Sequence, residues 1–169
     1  MIIQMEDMAT MKSWYMDELF NYPCEKVSFP YTHHCDAEDK LATAVKNEVE
    51  KYGKSLIIDA QSFPKNLFSY EKDLPRPDIC VGTCENTPNT LKNYVVEYFT
   101  GKGYKVAENR PFGGSVVPLK YEGDKHVMSI MIKVNRGLYI EDNHKLPRFL
   151  KVKFDMYCLL DELKNEVFG

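Results

Sequence analysis

The chain has 169 residues, of which 44% are hydrophobic and 28% charged, and its formal net charge is −3. This composition predicts one globular domain over residues 1–169 and excludes a disordered chain. The acidic balance argues against a nucleic-acid-binding surface, and no apolar run approaches the roughly 20 residues that cross a bilayer. Five cysteines without a C-x-x-C pair favour reduced thiols and a cytoplasmic protein.

The first half of the chain predicts two helices and two strands. A helix is predicted over 7–20, a short strand over 27–29, and a second helix over 38–52 that ends at Gly53. The apolar run at 55–59 predicts a buried strand. The inner face of the second helix is expected to hold Leu41, Val45, Val49 and Tyr52.

The second half continues the alternation of strands and helices. A strand at 78–82 precedes a helix that is expected to begin at Thr87-Pro88, with the threonine hydroxyl as its cap, and to end at Gly101. The remaining predicted elements are strands at 104–107 and 126–134 and a helix at 147–166. This order of elements predicts an α/β fold with a mixed sheet.

Two polar segments contain the candidate chemistry. The 55–59 run turns polar at Asp59, and Gln61 and Ser62 follow it; the carboxyl ends of strands are where α/β folds collect their ligands. The same residue types also shape ordinary turns, so the pattern leaves both interpretations open. The segment HHCDAE at 33–38 contains several metal-binding residue types, but its spacing matches no zinc motif, and solvated or capping histidines are the alternative.

Four segments together indicate a family. They are LIIDAQSFP at 56–64, RPDICVGT at 76–83, NRPFGG at 109–114 and SIMIKVNRGLY at 129–139. Their order and spacing resemble the N-formylglutamate amidohydrolase family, and the resemblance runs from about Trp14 to the C-terminus. It implies a single-domain three-layer α/β/α sandwich with a mixed sheet, of the phosphorylase/hydrolase-like, zinc exopeptidase-like kind, and a zinc-dependent hydrolysis of amides.

The chain departs from the family at positions that the resemblance marks as functional. Gln61 stands where the family has a histidine that looks like a zinc ligand, and an amide is a poorer zinc donor than imidazole. Lys133 replaces a glutamate that the resemblance implies is the general base, and a protonated lysine cannot act as that base. The family's Asp-x-Glu matches Asp36 and Glu38, with His34 beside them as a further candidate ligand. The family's upstream Pro-His-Ser motif is expected to fall before the first residue.

These departures suggest a charge replacement at the family's catalytic positions, which here are Asp59, Gln61 and Lys133. The hypothesis is that the Lys133 ammonium stands where zinc would be, near Asp59, Asp36 and Glu38, with Gln61 bridging by hydrogen bonds. The alternative is that Lys133 extends into solvent at the end of its strand.

The resemblance also implies residues for binding. Arg136 and Arg76 match family positions, and arginine suits the bidentate capture of a carboxylate. Asn109, Gly113 and Gly114 would shape the opposite wall. Loop bracing is the alternative role for Arg76 and Asn109.

Three functions remain open on the sequence. The first is a degenerate amidohydrolase-like protein that needs no cofactor and binds a small acylated amino acid or another carboxylate. The second is an active hydrolase of C–N bonds that holds zinc with His33, His34 and Glu38. The third is a non-enzymatic interaction module that uses exposed aromatic side chains of the 63–70 loop, namely Phe63, Phe68 and Tyr70. The residues leave the oligomeric state open.

Overall fold

The computed structural model describes residues 1–6, 25–28, 34–66, 75–142 and 144–168, with 4–6, 25–28 and 34–37 described by their backbone alone. Six strands form the main sheet: β1 (Ile2–Glu6), β2 (Glu25–Ser28), β3 (Ser55–Phe63), β4 (Ile79–Gly82), β5 (Val106–Glu108) and β6 (Val127–Asn135). The helices are α1 (His34–Tyr52), α2 (Asn89–Gly101) and α3 (Phe149–Phe168). Strands β7 (Ile140–Glu141) and β8 (His144–Lys145) pair with each other. The helix predicted over 7–20 lies outside the described residues.

The main sheet is mixed, as the sequence predicts. Its strand order is β2-β1-β3-β6-β4-β5. Strands β1, β2, β3 and β6 run parallel, whereas β4 is antiparallel to β6 and parallel to β5. The carboxyl ends of β3 and β6 therefore meet the beginning of β4 at one edge of the sheet.

Helices cover both faces of the sheet, which makes the fold the three-layer α/β/α sandwich that the resemblance implies. On one face, Ile58, Ile132 and Val134 pack in a large core with buried residues of α2 and α3. On the other face, Ile57 and Val127 pack against α1. Because side chains alternate along a strand, the face under α1 also receives the polar residues at 59, 61 and 133.

Strand β3 extends further than its apolar run suggests. Asp59, Gln61 and Ser62 lie inside the strand and are buried, so they do not form the turn after it. Backbone pairing with β1 and β6 continues through this polar part, from Ile2 beside Ile57 to Phe63 beside Asn135. The polar segment is therefore a rigid part of the sheet.

Two local predictions about helices are wrong. Tyr52 is half exposed at the last residue of α1, although Leu41 and Val45 are buried as expected. The Thr87 hydroxyl does not cap α2, because it donates to the backbone oxygen of Ser129 over 2.6 Å. Gly53 does end α1 in a left-handed conformation, with φ of 74°. None of the described helices is long and apolar enough to cross a membrane.

Candidate functional site

Asp59 and Gln61 form a buried polar pair on the α1-facing side of the sheet. They lie two residues apart on β3 and so point to the same face. The Gln61 side-chain amide nitrogen donates to both carboxylate oxygens of Asp59, over 2.9 and 3.1 Å. Amide donors favour the ionised form of a carboxyl group, because they donate to its oxygens.

Lys133 lies beside this pair and does not reach solvent. Its Cα pairs with that of Gln61 on β3 and with that of Cys80 on β4, and the residue is 2% exposed. Its Nζ lies 3.7 Å from the centroid of the Phe112 ring, well inside the range of a cation–π contact. The structure thus places Lys133 with Asp59 and Gln61, and the alternative in which it extends into solvent is wrong.

Two residues of this site, Cys80 and Phe112, are not among the residues that the sequence predicts for it. The Cys80 thiol donates to the backbone oxygen of Phe112 over 3.1 Å. Cys80, Phe63 and Met131 form a small buried cluster, and the Phe112 ring packs against it. The pKa of the Cys80 thiol is raised, mainly by burial. Hydrogen bonds with the backbone of Phe112 and Arg110 and the charge of Lys133 lower it by less. Side-chain alternation along β4 could have indicated Cys80, but only the antiparallel register puts it beside Lys133.

Arg76 and Arg136 come together at the edge where β3 and β6 end. Arg136 directly follows β6, and the Asn135 side chain donates to the Pro77 backbone oxygen over 3.1 Å, which ties the 75–78 segment to this strand end. The Arg76 guanidinium carbon lies 5.3 Å from the Phe63 ring centroid and 5.8 Å from that of Phe112. Arg76 thus packs against two aromatic rings, and Arg136 is positioned by the turn that Asn135 caps.

The guanidinium of Arg136 is partly enclosed. Its Nε and Nη2 atoms are buried, and no described residue forms a hydrogen bond with either atom. These two nitrogens form one edge of the guanidinium fork, which is the edge that receives the two oxygens of a carboxylate.

The 109–114 loop covers the site from the side of β4. Asn109 is a brace: its side chain accepts from the Thr83 backbone nitrogen over 2.9 Å and donates to the Thr83 hydroxyl over 2.8 Å. The Gly114 backbone oxygen approaches Gly82 so closely that a Cβ at residue 82 would lie 2.2 Å from it. Gly113 is exposed on the same loop. The loop-bracing role thus accounts for the Asn109 contacts.

The 33–38 segment contributes less to the described site. The side chains of His33, His34 and Asp36 lie outside the described residues. Glu38 is exposed, and its carboxylate accepts from the Leu119 backbone nitrogen over 3.3 Å. A zinc site on His33, His34 and Glu38 therefore stays a prediction.

The exposed aromatic surface expected over 63–70 is wrong for Phe63. This residue ends β3, is 1% exposed, and packs against Phe112 with ring centroids 5.5 Å apart. Phe68 and Tyr70 lie outside the described residues. Phe63 therefore belongs to the floor of the site and is not available to a partner protein.

Comparison with known families identifies the fold's relatives. Residues 32–140 match the N-formylglutamate amidohydrolase family. The chain belongs to this family. No curated protein matches its sequence.

The family fold also appears among solved structures. The N-formylglutamate amidohydrolase from Ralstonia eutropha JMP134 superposes with a TM-score of 0.69 at 21% identity, over 80% of this chain and 51% of that one. A gene product from Agrobacterium tumefaciens, Atu2144, matches with a TM-score of 0.43 and 14% identity, over 79% of this chain and 47% of that one. The chain thus spans about half the length of both proteins.

The described residues of this family member do not fit the zinc ion that the resemblance implies. Gln61 already binds both oxygens of Asp59, and Lys133 brings a cation to the same face. Two unit charges roughly 4 Å apart, at an effective dielectric constant of about 20, interact by about 4 kcal/mol, and a divalent ion doubles this repulsion. Among the residues with described side chains, no group of three histidine, cysteine, aspartate or glutamate residues is placed to hold a metal.

Proposed function

We propose that this protein is a degenerate member of the N-formylglutamate amidohydrolase family that binds a small carboxylate and does not hydrolyse it. The observation that supports binding is the buried Nε and Nη2 edge of Arg136, which no described residue satisfies. A buried donor without a partner costs about 1–3 kcal/mol, and more when it is charged, so a carboxylate that fills this edge gains that amount.

The absence of hydrolysis is argued from the residues at the family's catalytic positions. The amide of Gln61 binds Asp59, and the Lys133 ammonium lies on the Phe112 ring. A cation at the position of the general base cannot take a proton from water while it is charged. Lys133, Arg76 and Arg136 instead give this side of the site a positive charge.

The class of ligand follows from the positive charge and the apolar surface on this side of the site. The partly buried Phe112 ring lies against the Arg76 guanidinium, so an amino acid with an acylated, uncharged nitrogen fits this partly apolar surface better than a free zwitterion. We propose an N-acylated amino acid as the ligand, with its carboxylate on Arg136.

Calorimetric titration with N-formylglutamate tests the binding half of the proposal. The wild type should bind, and Arg136→Lys and Arg136→Met should each weaken binding by about tenfold or more, because one charge-assisted bidentate contact is lost. Arg148→Met, at an exposed arginine in the turn just before α3, is the matched control and should leave the affinity unchanged. Equal affinities for Arg136→Met and the wild type would refute the assigned contact.

Formate release tests the non-hydrolytic half. The protein is first dialysed into a buffer that contains zinc chloride. Formate should then be released from N-formylglutamate no faster with this protein than in the same buffer without it. Turnover that disappears on mutating His34 would instead establish the active hydrolase with the altered ligand set.

A further inference from the structure

The position of Lys133 is fixed on three sides. Gln61 on β3 and Cys80 on β4 flank it in register, and the Phe112 ring lies against its ammonium at 3.7 Å from Nζ to the ring centroid. With 2% of the residue exposed, the side chain is buried among these neighbours. The ammonium therefore lies inside the site and not in solvent.

The same face buries an opposite charge. Asp59 is 1% exposed, lies on the strand next to β6, and presents a carboxylate whose oxygens both accept from Gln61. A buried carboxylate is stable when a cation and hydrogen bonds compensate it, and a buried ammonium has the mirror requirement. Gln61 neighbours both residues, because its Cα pairs with that of Lys133 and its side-chain amide donates to Asp59.

We infer that the Lys133 ammonium is a covalently attached replacement for a metal ion. It supplies the positive charge that stabilises the Asp59–Gln61 pair, and its charge keeps divalent cations out of the site. The inference starts from the misfit between the residues present and a zinc ion. It shares the Lys133 and Gln61 observations with the non-hydrolytic half of the proposed function, but it does not depend on the binding of a carboxylate at Arg136, so the binding half can fail while it stands.

A double-mutant cycle tests the charge compensation. Lys133→Met keeps the length of the side chain and removes its charge, and Asp59→Asn removes the opposite charge. Each single variant should lower the midpoint of urea unfolding, and the double variant should lose less than the sum of the two losses, because it leaves no isolated buried charge. Additive losses would overturn the compensation. Tyr52→Phe, at the half-exposed end of α1, is the control for handling and baseline.

Zinc binding tests the exclusion of metal and needs no destabilised variant. Zinc chloride and a chelator should both leave the wild-type melting temperature unchanged. Gln61→His restores the donor that the family carries, and we expect zinc to raise the melting temperature of Gln61→His/Lys133→Glu by more than that of Gln61→His alone. Equal shifts in these two variants, or a zinc-dependent rise in the wild type, would overturn the inference.

Discussion

At the scale of single residues, burial changes the chemistry of the Cys80 thiol. Its sulfur lies under the 109–114 loop and donates a hydrogen bond to the Phe112 backbone oxygen. Since burial raises its pKa, the reactive thiolate is scarce at neutral pH. We expect iodoacetamide to alkylate Cys80 more slowly than Cys84, which is only partly buried, and peptide mass spectrometry after timed quenching measures both rates.

Unfolding provides the control for that prediction. In concentrated urea the two cysteines should react at similar rates, because the loop no longer covers either. A native Cys80 that is alkylated as fast as Cys84 would contradict the protected position of the thiol.

Some residues of the site are visible in the sequence and others are not. Asp59 and Gln61 are two residues apart in a strand-forming segment, so their shared face follows from local geometry. The contact of Phe112 with Lys133 joins a loop to a strand, and the neighbouring Cys80 depends on the direction in which β4 enters the sheet. Contacts between residues far apart in the chain produce no pattern in either local segment. The sequence therefore predicts the Asp59–Gln61 pair but not the position of Cys80 and Phe112 beside Lys133.

At the scale of elements, β4 and the 109–114 loop fit together only because residue 82 is a glycine. A Cβ there would lie 2.2 Å from the Gly114 backbone oxygen and 2.4 Å from the Met131 side chain. Gly82→Ala should therefore lower the free energy of unfolding by about 1–3 kcal/mol, the usual range for overpacking. Urea denaturation followed by circular dichroism measures the change.

The matched substitution is Gly101→Ala at the end of α2. No atom lies within 4 Å of a Cβ built there. This variant should be neutral or gain about 0.4–1 kcal/mol, because alanine restricts the unfolded chain. Equal losses for the two alanine variants would show that the close approach of the loop is not what residue 82 requires.

The extents of elements were predictable where the polypeptide pattern is local. The ends of α1 at Gly53 and α2 at Gly101 were placed correctly from their glycines. The predicted strand at 55–59 is shorter than β3, because Asp59 and Gln61 interrupt the apolar run while tertiary pairing keeps them in the strand. The sequence predicts a local cap at Thr87, but the hydroxyl's partner is Ser129, 42 residues away. The sequence does not predict β1, because its apolar run is too short to signal a strand without its neighbours.

At the scale of the whole molecule, a polar cluster joins the two helices behind the sheet. The Asp155 carboxylate of α3 accepts from the Tyr104 hydroxyl and from Lys151, each over 2.6 Å, and its backbone oxygen accepts from Tyr98 of α2 over 2.7 Å. Both Asp155 and Tyr104 are buried. The cluster lies on the opposite side of the sheet from Lys133 and secures the layer on which β6 rests.

This cluster makes stability depend on alkaline pH. Burial, followed by the hydrogen bond to Asp155 and its charge, raises the pKa of Tyr104, and burial is also the main cause of the raised pKa of Tyr98. A folded-state pKa above the unfolded value of about 10 means that folding favours the neutral phenol, so the stabilisation is complete below about pH 10 and is lost as the pH rises further. We expect the free energy of unfolding to fall as the pH rises above about 10, less steeply in Tyr104→Phe than in the wild type, because phenylalanine does not titrate. Urea titrations at each pH measure the slopes. Identical slopes in Tyr104→Phe and the wild type would mean that the Tyr104–Asp155 bond does not couple the helix layer to pH.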